Sequence, residues 1–483
     1  MSDDHFPAVD PRILRAAAEG CTESRILMNR RHMLGVSAGF FAWAFAPKFA
    51  VAGSATDPRL LLVIIRGGMD GLNTVVPFGD PNYAGLRGGI AMPAASTIQL
   101  NSFFGMHPSL TTLGSLYGAG QAAVVHATCT PKRNRSHFDA QDNLETGLPA
   151  DGNTTNATGW LNRLLTALPS GDPIRVGGAV QVGEAPVVLR GPAPVLGWSP
   201  TWFEHVNQLT TNNLLGVYDA VDPGMAGYLR RGLTADALAE AVDPNGGSED
   251  ISQLRKAFRG AARMMRVDTG PRIAVLSVEG FDTHVDQGGA TGQLATRLAE
   301  LDGGIADYRT EMAEAWAQTV VVCVTEFGRT AAVNGNLGTD HGVGTVALLA
   351  GGAVNGGNVF TDWPGLAPQN LYEQSDLNPT TDLRSIFKGV LQDHLGVPKT
   401  LLDETIFPSS AAVPVLQNLI RSPASADQIA KSPLVTATAK TKALRGKMQA
   451  GWSAPTRPVD AKSAAGRRNL GGIAKYRQAF PEA

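Results

Sequence analysis

A continuous aliphatic run, Leu60 to Ile65, breaks at once into Arg66-Gly67-Gly68-Met69-Asp70-Gly71, and no other part of the chain limits the fold as tightly. A strand with one wet face alternates apolar and polar residues. A run that is apolar at every position reads as a strand buried on both faces, the habit of parallel sheets. Similar runs recur at Ala122 to Ala127, Ile273 to Val278, Val320 to Val324 and Thr345 to Leu349. Helical stretches lie between them, notably Asp250 to Met265 and Gly292 to Trp316. The alternation predicts an α/β fold, a doubly wound, mostly parallel sheet with helices on both faces. Residues 170–215, rich in Gly, Pro, Val and Thr, read as an irregular insertion with short strands.

Both ends of the chain carry other signals. Asn29-Arg30-Arg31-His32-Met33-Leu34 is followed by an apolar run, Gly35 to Pro47, and by Ala50-Val51-Ala52. That order is a twin-arginine secretory signal, 1–52, with cleavage expected after Ala52. An amphipathic helix that happens to carry two arginines is the alternative. Met28 directly precedes the motif, so residues 1–27 are a long n-region or a start assigned too early. The apolar run is shorter than the roughly 20 residues a bilayer span needs, so no transmembrane segment is expected in the mature protein. The expected location is periplasmic or secreted, with the twin-arginine export machinery as a partner. That pathway carries folded proteins, often ones loaded with a metal or cofactor beforehand. The body is expected to span 53–421. Beyond it, residues 422–483 hold eleven Lys or Arg against three acidic residues and read as a flexible basic tail. Attachment to anionic envelope polymers is the sharper reading of the tail.

Composition narrows the chemistry. With 41 basic and 43 acidic residues, the net charge of −2 argues against a nucleic-acid partner. The cysteines, Cys21, Cys129 and Cys323, include no C-x-x-C pair, which argues against a thiolate zinc site. Cys323, inside Thr319 to Val324, reads as a buried free thiol.

In open α/β sheets, ligands gather beyond the carboxyl ends of the strands. Asp70 follows the first apolar run, Asp282 and His284 follow the one ending at Val278, and Glu326 follows the one ending at Val324. Asp340 and His341 come just before the run that starts at Thr345. Each has an ordinary reading when taken alone. Asp70 can cap a helix, Glu326 can pair with Arg329, and Asp340-His341-Gly342 can be a turn. Together they predict a divalent metal site of oxygen and imidazole donors, suited to zinc, manganese, magnesium or calcium. Ser136, in Lys132 to Asp139, stands near a predicted helix start, either as its cap or as a hydroxyl nucleophile beside the metal. His137 is open between ligand, acid/base group and core residue. Arg66, Arg135 and Arg329 each adjoin a motif and could neutralise an oxyanion or pair with carboxylates.

Five motifs carry a resemblance: Arg66-Gly-Gly-Met-Asp-Gly-Leu-Asn73, Arg135-Ser-His-Phe-Asp139, Phe281-Asp-Thr-His284, Thr325-Glu-Phe-Gly-Arg329 and Asp340-His-Gly342. In this order they resemble the bacterial family called domain of unknown function 1501, placed in the alkaline phosphatase/sulfatase-like superfamily. The resemblance covers about residues 59–421, and a twin-arginine leader is common in the family. It implies an alkaline phosphatase-like core. By the same resemblance, Asp70 looks like the first metal ligand and Ser136 like the nucleophile. Asp282 and His284 look like central ligands, and Asp340 and His341 complete the set. Two departures stand out: Glu326 replaces a usual Asp, and no Cys/Ser-x-Pro-x-Arg sulfatase signature is present. The implied function is an exported metal-dependent hydrolase of phosphate or sulfate esters, small or polymeric, with a metal-activated hydroxyl or water as nucleophile. The alternatives are a non-catalytic, metal-stabilised envelope protein that binds a polymer or protein partner, and metal-dependent isomerase or transferase chemistry.

Overall fold

Strand β1 (Arg59–Ile65) is buried at every position and lies inside the main sheet, as its unbroken apolar run requires. The computed structural model describes residues 57–183, 186–200, 208–242 and 251–421. The expected leader, 1–52, and the expected basic tail, 422–483, lie outside the described residues. The other sheet strands are β2 (Ala122–Cys129), β3 (Ala179–Val182), β4 (Leu196–Trp198), β5 (Ile273–Val278), β6 (Thr319–Thr325), β7 (Thr345–Ala350), β8 (Val359–Phe360) and β9 (Thr381–Asp382). Their order across the sheet is β8-β2-β7-β6-β1-β5-β3-β4, with β9 paired to β2.

Side chains alternate across a strand, so β1 feeds two cores. Leu61, Val63 and Ile65 pack against helices α4 (Gln253–Met265) and α5 (Gln293–Met312). Leu60, Leu62 and Ile64 pack on the other face against α3 (Trp160–Ala167) and α6 (Leu383–Leu395). The result is the predicted sheet covered by helices on both sides. Two further helices are α1 (Thr111–Gly118) and α2 (His137–Thr146). Cys129 and Cys323 are buried free thiols. Among the described residues, no helix is long and apolar enough to cross a membrane.

Two differences from the sequence reading matter. The short strands expected within 170–215 extend the main sheet, β3 lying parallel to β5 and β4, at the edge, parallel to β3. Strand β7 runs antiparallel to both β2 and β6. Its amino end therefore lies at the rim where β1, β2, β5 and β6 present their carboxyl ends. For this reason Asp340 and His341, which precede a strand, share a rim with residues that follow strands.

Candidate metal centre

The approach to the rim is tight. Gly67 takes φ +112°, and a Cβ there would stand 2.6 Å from the Asp282 nitrogen. Gly68 takes φ +65°, and a Cβ there would run into the Phe327 ring. Only glycine accepts such φ values and such contacts without strain. The Arg66-Gly67-Gly68 break thus lets the loops after β1, β5 and β6 crowd together.

Three imidazoles meet beside those loops: His284 after β5, His137 at the start of α2 and His341 ahead of β7. Nε2 of His341 lies 3.1 Å from Nε2 of His137 and 2.9 Å from Nε2 of His284. The Asp282 carboxylate adds Oδ1 at 3.1 Å from His341 Nε2 and 3.0 Å from His284 Nε2, and Oδ2 at 3.5 Å from His137 Nε2. His137, Asp282 and His341 can each offer one ligand atom, all within 4.8 Å of one another. His284 joins them through His341 and Asp282. An ion holding donors tetrahedrally at about 2.0–2.1 Å spaces neighbouring donors about 3.3–3.4 Å apart. The observed separations are close to that spacing.

The far nitrogen of every ring faces an acceptor. His137 Nδ1 lies 2.8 Å from Glu326 Oε1, His284 Nδ1 lies 3.1 Å from Asp340 Oδ1, and His341 Nδ1 lies 2.9 Å from the Arg135 carbonyl. Each Nδ1 therefore carries the hydrogen, which leaves the three Nε2 lone pairs turned toward one another. Lone pairs at such distances repel unless a proton or a cation lies between them. Metal-binding histidines are oriented by this kind of carboxylate or carbonyl contact. The donor set fits a divalent cation of the zinc or manganese type.

The surroundings set the charges. The hydrogen bond to Glu326 raises the His137 pKa, and that outweighs the opposing effect of burial. Burial lowers the His341 pKa. Burial would lift the Asp282 carboxyl, but the hydrogen bond and charge of Arg329 hold it below the usual range. Glu326 is likewise held low. Hydrogen bonds from His137, the Gly67 N–H and Gln141 outweigh its desolvation. Asp340 is lowered by the hydrogen bond from Asn334 and by His284. Phe327 is buried beneath the cluster, its ring centroid 4.7 Å from that of His137 and 4.9 Å from that of His341.

The structure sorts the predicted residues. Asp282, His284 and His341 meet, and His137 stands with them. Glu326 and Asp340 do not sit beside the imidazoles as fellow donors but behind them, on the Nδ1 side. Asp70 is elsewhere. Its buried carboxylate accepts from Arg87 Nη1 and Nη2 at 2.9 and 2.8 Å and from Gln287 Nε2 at 2.6 Å, and it caps the short helix Gly71–Thr74. The capping alternative is the one its geometry displays. Ser136 is the N-cap of α2, its Oγ accepting from the Asp139 N–H at 3.5 Å. Arg66 binds Glu145, Gln141 and Ser277, and Arg135 binds Asp376 and Glu373. Arg329, buried, binds the Gly67, Gly68 and Thr339 carbonyls and Asp282. All three arginines are committed to protein acceptors.

Sequence reasoning missed Arg87, Gln141, Gln287 and Asn334. Gln287 accepts from Thr283 and Thr339 through Oε1 while it donates to Asp70, so it ties Asp70 to both ligand-bearing loops. It lies within three residues of His284, the one local signal available. Arg87 has none.

The sequence profile of the family described as "Protein of unknown function (DUF1501)" matches residues 57–406. The chain belongs to this family. No curated protein matches it. Among solved structures, this DUF1501 protein is similar to the lipoteichoic acid synthase LtaP from Listeria monocytogenes. The identity is 10%, the TM-score 0.33, and the match covers 77% of this chain and 80% of that one. It is also similar to the phosphonate monoester hydrolase of Agrobacterium radiobacter, at 14% identity and TM-score 0.31, over 71% and 74% of the two chains. A third is the C-terminal periplasmic domain of EcEptC from Escherichia coli in complex with zinc, at 9% identity and TM-score 0.30, over 62% and 74%. Likeness at that level transfers neither chemistry nor substrate to the DUF1501 chain.

Proposed function

We propose that this protein is an exported, metal-dependent hydrolase of phosphate or sulfate esters. The observation that carries the reading is the convergence of three imidazole lone pairs and the Asp282 carboxylate at a solvent-reached sheet rim. His137, His341 and Asp282 would hold the ion, with His284 beside them. The Asp282 side chain is 46% exposed, so one side of the cluster is open to a ligand, as catalytic sites require. The chemistry supplied by an ion bound there is polarisation of ester oxygens and acidification of a hydroxyl or water. Glu326, Asp340 and the Arg135 carbonyl orient the rings, and Arg329 keeps Asp282 ionised. The amino end of α2 favours an anion at Ser136 and His137. The exposed Ser136 hydroxyl or a water is the nucleophile in this reading. Export rests on the Arg30-Arg31 motif.

One observation favours a second reading, a metal-stabilised protein without chemistry. Arg66, Arg135 and Arg329 are all bound to protein groups, so none of the three meets an oxyanion as the protein stands. The deciding experiment is metal analysis of untagged mature protein, followed by assays on aryl phosphates and aryl sulfates with zinc, manganese or calcium. The expected result is a stoichiometric divalent ion, metal-dependent turnover, and loss of both by at least about a hundredfold in His341→Ala. Stoichiometric metal with no turnover of either ester class would sink the hydrolase and leave the second reading. Failure to bind metal would sink both.

A further inference from the structure

The two loops that bring Asp282, His284 and His341 together are joined by one buried side chain. Gln287, fully buried, accepts through Oε1 from the Thr283 hydroxyl at 2.8 Å and from the Thr339 hydroxyl at 2.7 Å. Thr283 stands between Asp282 and His284, and Thr339 directly precedes Asp340 and His341. The loops also meet without Gln287. The Thr339 N–H donates to the Thr283 carbonyl at 3.1 Å, and Asn334 Nδ2 donates to the His284 carbonyl at 2.9 Å and to Asp340 at 3.1 Å. Those contacts lie between the two loops alone, whereas Gln287 also ties both to the loop after β1, through Asp70.

The direction of the Gln287 amide is set by that carboxylate. Nε2 donates to Asp70 at 2.6 Å, and a carboxylate paired with Arg87 offers only acceptors. Oε1 must then face the two hydroxyls, and both hydroxyls must donate to it. The backbone of Gln287 is fixed as well, its N–H on the Leu337 carbonyl and its own carbonyl on the Leu294 N–H. His284 and His341 turn lone pairs toward one another with Nε2 atoms 2.9 Å apart, an arrangement that would spread if the loops were free. His137 is held separately, by Glu326.

We propose that Gln287 is a positioning residue of the metal centre. Its amide holds the His284 and His341 loops at the separation that lets both imidazoles face one ion, so less ordering is left for the ion to do on binding. The proposal rests on the metal reading of the cluster and is independent of hydrolysis.

The test is the zinc and manganese affinity of untagged mature protein, measured by chelator competition at neutral pH. Gln287→Met keeps the length and removes the amide. It should weaken binding of the preferred ion about tenfold, the lower end of what support of a metal ligand contributes. Thr339→Val and Thr339→Ser separate the hydroxyl from the packing. Thr339→Val should lose about three- to tenfold, and Thr339→Ser, which keeps the donor, should bind within about twofold of the unsubstituted protein. In the Gln287→Met background the acceptor is already gone, so Thr339→Val should cost nothing further. Affinity in Gln287→Met within about threefold of the unsubstituted protein overturns the proposal and leaves the metal centre standing. So does binding in Thr339→Ser as weak as in Thr339→Val, or a Thr339→Val effect that persists undiminished without the amide. Should Gln287→Met fail to fold, the two Thr339 variants decide alone. An unsubstituted protein that binds neither ion removes the metal centre and the proposal with it.

Discussion

Glu326 and Asp282 are both carboxylates at strand ends, yet they do different work, and the difference is one of side-chain direction. Asp282 faces the Nε2 atoms, whereas Glu326 is buried behind His137 and accepts at its Nδ1. Glu326→Gln keeps the shape and removes the charge that orients and polarises the ring. It is expected to weaken metal affinity about 10- to 100-fold, with the thermal midpoint little changed, and chelator competition will measure this. A drop in affinity below threefold would mean that Glu326 is not supporting a ligand. Asp70 makes the complementary case. Arg87→Met strips a buried carboxylate of its bidentate partner and is expected to cost about 3–5 kcal/mol in urea unfolding. Asp70→Asn combined with Arg87→Met should recover much of that loss. If Asp70 binds a metal instead, Arg87→Met will leave stability intact and alter metal content. The sequence marked both carboxylates through their position after strands. It carried no mark of Arg87, because Arg87 stands 17 positions beyond Asp70 and no local pattern links them.

At the scale of elements, the strands were legible because a segment covered by helices on both faces is apolar at nearly every position. The run Ile273 to Val278 became β5 residue for residue. Strand direction was not legible. An apolar run reads the same either way, so the reversal of β7 appeared only with its pairing to β2 and β6. That reversal is what brings His341 to the rim. The loop after β1 could be read as a break from its two glycines, but not why both were needed. Gly68→Ala would drive a Cβ into the Phe327 ring, which lies against His137 and His341. The expected cost is about 1–3 kcal/mol of overpacking on top of the φ penalty, together with weaker metal binding. Gly396 takes φ +71° after α6, and a Cβ there would meet nothing within 4 Å, so Gly396→Ala isolates the backbone penalty of roughly 1 kcal/mol. Equal effects of the two substitutions on metal affinity would show that the Phe327 wall does not position the imidazoles.

At the scale of the whole molecule, acid should unfold the protein through two histidines outside the imidazole cluster. His126, fully buried in β2, accepts the Ala127 N–H at Nδ1 at 2.8 Å and donates from Nε2 to the Val75 carbonyl at 2.9 Å. The ring is satisfied only when neutral, since a proton on Nδ1 would face a donor. Burial pushes its pKa down to about 4. His394, whose Nε2 lies 3.0 Å from the Arg59 carbonyl, is also pushed down by burial to about 4. An unfolded histidine takes up its proton near pH 6.5, whereas these two stay neutral in the folded chain until about pH 4. Across that window the unfolded state binds more protons, so stability is full above about pH 6.5 and falls as the pH drops. By pH 4 each histidine should contribute a loss on the order of 3 kcal/mol. Thermal midpoints measured from pH 7.5 to 4.5 should therefore fall steeply below 6.5, and His394→Gln should flatten part of that slope. Since His394 touches none of the imidazoles at the rim, its variant should leave metal content at pH 7.5 unchanged. A slope unaltered by His394→Gln would show that these two histidines are not what acid attacks, and would turn attention to protonation of the carboxylates that hold the rim together.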